Sequence, residues 1–336
     1  MYRYAVVLTR ERIVEERLEQ RLNVSNKVIF SRVAEKDGGA VTIGEAFEGA
    51  LTEKIRAQAV VGAPSTRTFL SLINENIKNE GRGVIFSTVL DWFKEITFIG
   101  PDARIDNLIR PFKDEEFKSF VEGLLEQATG VARLDPVSSR MSASEVVKMI
   151  SSPKLRDTVS NFAGDYSLYL GGTHRSELEL VHEAGADDFK ATELKAAHRL
   201  ADGRVGYLNV NEESDGTKRL LNLLPAIYNI ISKRGVCIID ELDRSMHALL
   251  SRSLVRTFLE AESSGQLIFT TQEDAILDAG YLRRDEIWFA EKDENASTCL
   301  YSLDDYKVRT RKNPRDYYFE GRYGAIPFEW TLGGKR

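Results

Sequence analysis

A layered α/β fold with a largely parallel sheet is predicted by three observations on this sequence. Its last third alternates short β-branched runs with helical stretches, from "VGYLNV" through "KRLLNLLPAIYNII", "VCIID" and "ALLSRSLVRTFLEAE" to "QLIFTT". The runs "VCII" and "QLIF" are apolar without alternation, as in strands buried on both faces. Both runs end in polar residues, Asp240–Glu241 and Thr270–Thr271–Gln272, and ligands of α/β sheets bind at the carboxyl ends of strands.

Taken in order, Tyr2 to Thr9 ("YRYAVVLT") and Asn26 to Ala34 ("NKVIFSRVA") read as strands, rich in β-branched and aromatic residues. Between them, "ERIVEERLEQR" suits either a helix or a polar-faced strand through Ile13, Val14 and Leu18. Phe69, Leu70, Ile73 and Ile77 give Ser65 to Lys78 helical spacing. "DEEFKSFVEGLLEQATG" is the cleanest amphipathic helix, with Phe117, Phe120, Val121, Leu124 and Leu125 on one face. "SASEVVKMI" opens with a capping-box pair, Ser142 and Glu145, and "SSPKLRD" punctuates the chain. Strands follow at "YSLYLG" and "RVGYLNV". The expected division is 1–100, strands plus helix; 101–200, an inserted lobe, helical or mixed and read in the fold class as mainly helical; and 201–336, the alternating α/β part. Pro225 predicts a kink in its helix, and "EDAILDA" and the runs "EIWFAEKD" and "TCLYSL" complete the series as a short helix and two strands.

With 42% hydrophobic and 29% charged residues the chain has the composition of a globular protein with a sizeable core. A net charge of −6 argues against a surface that coats nucleic acid, though a local basic groove stays open. Two cysteines, Cys237 and Cys299, lie in apolar runs and read as buried free thiols rather than a disulfide framework. No secretory segment is visible, and no run approaches the roughly 18 apolar residues that span a membrane, so a cytoplasmic protein is expected. His174, His182, His198 and His247 lack metal-ligand spacing.

The chemistry lies in three segments. Asp240 and Glu241 sit where a phosphate-bound magnesium would meet the sheet. Asp240 would hold the ion, mostly through water, and Glu241 would orient or deprotonate a water for in-line phosphoryl transfer. The plainer alternative is that they cap the next helix. Upstream, "ESDGTKRLL" puts Ser214, Asp215 and Gly216 at a helix N-terminus, which favours an anion, or equally an ordinary N-cap. Downstream, Thr270, Thr271 and Gln272 can sense a phosphate or begin a loop. Paired arginines in "LRRDE" read as a solvated turn, and "GRYGAIP" has no evident chemical role.

The order of these segments resembles the C-terminal half of ABC-type ATPase heads, the class shared by transporter, SMC-like and RecF-like proteins. More closely it resembles the AAA/ABC-type ATPases of bacterial abortive-infection (phage-defence) systems, the RloA-like and OLD-like group. The residues carrying the resemblance are Glu213–Thr217, Asp240–Ala248, Gln266–Gln272, Leu282–Phe289 and Gly321–Pro327. The resemblance is strong over 205–327 and weaker over 1–200. It implies an ABC-type P-loop NTPase head that binds ATP and Mg2+, closes as a homodimer, and controls an effector such as a nuclease or toxin, with nucleic acid left open as a partner. Ser214, Asp215, Gly216 and Thr217 match the signature motif that contacts the nucleotide of a second subunit. Asp240 matches the Walker B magnesium residue and Glu241 the catalytic base. Leu242 to His247, with Asp243, matches the D-loop. Gln272 stands where the switch histidine is expected; it can donate a hydrogen bond to a phosphate but carries no proton or charge. The Walker A pattern G-x-x-x-x-G-K-[ST] does not occur, and in the resembling family it precedes the part beginning at Tyr2. The expectation is therefore a head lacking its N-terminal Walker A segment, with a non-hydrolysing regulatory subunit as the rival.

Overall fold

The computed structural model describes residues 1–22, 25–34, 39–48, 53–76, 84–103, 108–161, 164–172, 175–278, 280–306 and 313–326. They form two compact units, Met1–Thr97 and Phe98–Arg336.

The first unit opens with an antiparallel meander of β1 (Tyr2–Leu8), β2 (Ile13–Arg21), β3 (Asn26–Val33) and the short β4 (Thr42–Ile43). The ambiguous "ERIVEERLEQR" is thus resolved as strand. Its polar Glu16 hides the alternation because that side chain is fully buried, ion-paired to Arg32 at 3.2 Å. Glu16 also accepts the backbone N–H groups of Phe69 (2.7 Å) and Leu70 (3.0 Å) and the Tyr4 hydroxyl (2.8 Å). Burial first, then the Glu16 charge, drives the Tyr4 phenol well above its ordinary value. Helices α1 (Glu45–Glu48), α2 (Glu53–Val61), α3 (Phe69–Asn76) and α4 (Val84–Lys94) complete the unit. Phe69, Leu70 and Ile73 are buried in its core with Phe30 and Phe86, as the helical spacing predicts; Ile77 lies outside the described residues.

The boundary between the units falls within β5 (Ile96–Ile99). The second unit continues with α5 (Glu115–Thr129), β6 (Val131–Ser142), α6 (Ala143–Met149), α7 (Pro153–Asn161), β7 (Tyr166–Gly172), β8 (Arg175–His182), β9 (Asp188–Arg199) and β10 (Val205–Asn209). Then come α8 (Asp215–Ser232), β11 (Val236–Ile239), α9 (Ala248–Glu260), β12 (Gln266–Phe269), β13 (Trp288–Lys292), β14 (Thr298–Ser302) and α10 (Pro314–Phe319).

Two helix starts follow the sequence signals closely. Asp114 caps α5 by accepting from Glu116 and Phe117, and Gly130 ends it in the left-handed region. Phe117, Val121 and Leu125 are buried, each contributing about 1.5–3 kcal/mol of transfer free energy. The Ser142–Glu145 capping box opens α6. "SSPKLRD" instead begins α7, with Pro153 as its first residue, where a missing N–H costs nothing.

The expected mainly helical lobe over 101–200 is corrected: β6 to β9 give that stretch more strand than helix. β6 pairs with β9 along its length, while β8 takes Lys190–Glu193 and β10 takes Lys195–Arg199 of the same strand. β6 escaped the sequence pattern because Pro136 and a run of serines interrupt it. Among the described residues it pairs only with β9, and an edge strand tolerates a proline. The parallel sheet is the three-stranded β12–β11–β5, in which β11 and β12 pair in parallel, while the meander of the first unit, the sheet of β6 to β10 and the β13–β14 ribbon pair antiparallel. β10, expected to join the parallel sheet, folds back on β9 because the connection from Leu200 to Arg204 is too short for a crossover.

The core of this unit packs α5, α8 and α9 around β11, with Leu220, Leu224, Ile227, Cys237 and Ile239 buried. α8 runs unbroken through Pro225. Cys237 is buried as expected, whereas Cys299 is exposed: it lies near the turn end of the two-stranded β13–β14 ribbon, beyond Tyr301, which packs on the aromatic cluster. No helix among the described residues is long and apolar enough to cross a membrane.

Candidate functional site

β11 ends at Ile239, and the chain then turns sharply. Asp240 donates its N–H to the Ile99 carbonyl at the end of β5 (2.8 Å), and Glu241 adopts φ 49°, the left-handed region that a side chain rarely occupies. Thr270, the first residue after β12, fastens this elbow from the neighbouring parallel strand. Its hydroxyl donates to Asp240 Oδ1 (2.6 Å) and accepts the Glu241 N–H (2.8 Å), while its carbonyl accepts the Leu242 N–H (2.9 Å). Leu242 is fully buried beneath the turn.

Two arginines and a third carboxylate complete the surroundings. Arg244 pairs with Glu241 Oε2 (3.3 Å) and with Asp102 (2.7 Å), on the segment following β5. Arg219, on α8, is buried, and its guanidinium donates to the carbonyls of Gly100, Asp240 and Glu241, each at 3.1 Å. Burial is the main cause holding Arg219 below the ordinary arginine value, with the Arg244 charge next. Asp243 accepts the Gln272 N–H at 3.3 Å, so Gln272 is held beside the turn through its backbone.

Ser214 caps α8 by accepting the Thr217 N–H (3.1 Å), and Thr217 is buried with its hydroxyl against Ser214 (2.9 Å). Asp215 pairs with Lys218 at 2.9 Å. Gly216 lies against the turn after the elbow: a Cβ there would stand 2.8 Å from the Ser245 carbonyl oxygen. Glu213, just before the cap, meets His198 of β9 at 2.6 Å. His247 caps α9 by accepting the Leu249 N–H. The structure thus joins Asp240, Glu241, Asp243 and Gln272 around Thr270, and sets Gly216 beside Ser245. Within this chain, Ser214, Asp215 and Thr217 are bonded among their own helix neighbours.

A carboxylate with a hydroxyl at the ends of two parallel strands is a hard, all-oxygen donor set, which suits magnesium. Among the described residues no group of three or more His, Cys, Asp and Glu could hold a metal by itself.

Sequence reasoning missed Arg219, Arg244 and Asp102. Arg219 had a signal, because it falls among the apolar positions of the α8 face that buries Leu220 and Leu223. Asp102 had none, since only the β5–β11 adjacency brings it near. Two motifs outside the site prove to be architectural. Arg284 of "LRRDE" donates to the Leu303 and Tyr306 carbonyls, both at 2.7 Å. In "GRYGAIP", Tyr323 is buried in an aromatic cluster against Phe289 and Tyr306, while Pro327 lies outside the described residues.

Residues 66–278, more than half of the chain, match the family described as "AAA domain, putative AbiEii toxin, Type IV TA system". No curated protein matches the chain. One solved structure, from work on the structural biochemistry of ATP-driven dimerization and DNA stimulated activation of SMC ATPases, is similar at 14% identity. The match covers 47% of this chain and 82% of that one with a TM-score of 0.28, a likeness too slight to carry a structural argument. On the family match, which spans the α8 start, the β11 elbow and Thr270–Gln272, the chain belongs to this AAA-domain family of ATPases.

Proposed function

We propose that this protein is an ABC-type ATPase head of a bacterial phage-defence or DNA-surveillance system. It binds and hydrolyses ATP with Mg2+, closes as a homodimer around the nucleotide, and controls a partner effector such as a nuclease or toxin. The observation that carries the reading is the Asp240–Glu241 elbow at the carboxyl end of the parallel β11–β12 pair, pinned by Thr270 and Arg219. In this reading Asp240 would hold magnesium and Glu241 would take a proton from, or align, an attacking water. The bound ion supplies charge neutralisation at the phosphates; the chain supplies the base and its orientation. Ser214, Asp215 and Gly216 would face the nucleotide of the second subunit, with buried Thr217 supporting Ser214 from behind, Asp243 at the join and Gln272 donating to the terminal phosphate.

Gln272 favours a second reading, a non-hydrolysing regulatory or scaffold subunit, because an amide cannot carry a proton through the reaction. Glu241→Gln separates the two. In the full chain with Mg-ATP, the hydrolytic reading expects phosphate release to fall about a hundredfold or more while ATP-driven dimerisation, read by light scattering, persists. If wild type and variant match in both measurements, the regulatory reading takes its place.

A further inference from the structure

Arg219 is a buried charge that the chemistry above does not use. It lies at the end of the first turn of α8, the helix that Ser214 caps, and is 5% exposed. Its Nη1 donates to the Gly100 carbonyl at 3.1 Å, and its Nη2 donates to the Asp240 and Glu241 carbonyls at the same distance. These oxygens belong to two separate segments, the end of β5 and the elbow after β11. One of the two elbow residues is held in the left-handed region, a conformation that persists only when its surroundings over-determine it. Gly216, on the same helix turn, abuts the Ser245 carbonyl on the far side of the elbow. α8 therefore grips the segment from Asp240 to Ser245 at both ends.

We infer that Arg219 is a positioning residue for Glu241: it locks the elbow to the N-terminal turn of α8, so that displacement of the Ser214–Gly216 loop reorients the candidate base. The inference rests on the reading of Glu241 as that base. An arginine is required by the geometry. A planar fork reaches carbonyls in two segments at once, whereas a lysine ammonium is a single point on a flexible stem and serves one segment at a time. The acceptors are neutral peptide oxygens, so Arg219 fixes backbone and leaves both carboxylates free for other work.

The test uses the full chain as wild type, Arg219→Lys and Arg219→Met, with two readouts. Amide hydrogen exchange over 238–246 reports the elbow directly, with α9 as the internal control. Steady-state phosphate release reports kcat and KM for Mg-ATP. In Arg219→Lys the elbow amides should exchange about tenfold faster with α9 unchanged. Its kcat should fall about a hundredfold while KM stays within about twofold, and Arg219→Met should be at least as severe. If Arg219→Met does not fold, Arg219→Lys decides alone. Unchanged elbow exchange in Arg219→Lys overturns the inference, as does a loosened elbow with unchanged kcat. Failure of both variants to fold would make the arginine a structural pin and also overturn it. A wild-type chain that releases no phosphate refutes the hydrolytic reading by itself; the exchange data then decide the clamp on their own.

Discussion

Replacing Glu241 by alanine and by glycine gives two variants whose difference in stability isolates the backbone strain at the elbow. Glu241 sits at φ 49°. A residue with a Cβ costs about 1–2 kcal/mol there, and glycine costs nothing. Against this, the freer unfolded chain of glycine costs about 0.4–1 kcal/mol relative to alanine. Both variants lose the half-exposed contact with Arg244 equally, so it cancels. The middle of the two ranges leaves Glu241→Gly more stable than Glu241→Ala by about 0.8 kcal/mol. At an ordinary helix or strand position the order is reversed, by about 0.5–1 kcal/mol. The assay is urea unfolding read by hydrogen exchange in α9 peptides, so that only the second unit is followed. Both variants should also lack phosphate release, making Glu241→Gly a more stable but inactive elbow. If Glu241→Ala equals or exceeds Glu241→Gly in midpoint at equal m-value, the strained-elbow argument is wrong.

Further outcomes follow from the packing. Burial pushes the Cys237 thiol up to about 11, whereas Cys299 is exposed, so a thiol reagent at about pH 8 should titrate one cysteine natively and the second only on unfolding. Because folding raises that thiol, its contribution is intact below the ordinary 9.0 and is lost as pH climbs towards about 11; Cys237→Ala should flatten the fall in stability over that window. Tyr323, 1% exposed and stacked 5.4 Å from Phe289, should cost about 3–5 kcal/mol on replacement by alanine, measured by urea unfolding. Arg322→Ala, which removes a cation–π contact over Tyr317 at 4.6 Å and an exposed ion pair with Glu320 at 2.8 Å, should cost about 0.5–1 kcal/mol, and equal effects would remove the packing role assigned to Tyr323.

Local signals carried much of what the sequence made legible. α5 was readable from the periodicity of its apolar face, and the start of α6 because capping is a short-range contract between a side chain and N–H groups two or three residues away. β11 was readable as a buried strand because it lacks polar positions, whereas β12, read the same way, is only partly covered and leaves Ile268 exposed; the polar residues at their ends located Asp240, Glu241 and Thr270. β2 was not decidable, because its buried Glu16 is compensated by Arg32 sixteen residues away and looks like a solvated position in one dimension. β6 was hidden by a proline that only its edge position makes tolerable.

By itself, then, the sequence determined the chemistry available: a carboxylate pair after one apolar strand, a polar end on the next, and a capped helix beginning Ser214–Asp215–Gly216. Tertiary structure alone decided how these are held. The left-handed turn at Glu241, the Thr270 hydroxyl between Asp240 and the Glu241 N–H, the Asp102–Arg244–Glu241 chain and the three-carbonyl grip of Arg219 join residues as far as 139 to 142 positions apart only because β5, β11 and β12 are neighbours. Periodicity and capping act within a few residues along the chain. Strand adjacency is set by burial summed over the whole core, and no local pattern encodes it.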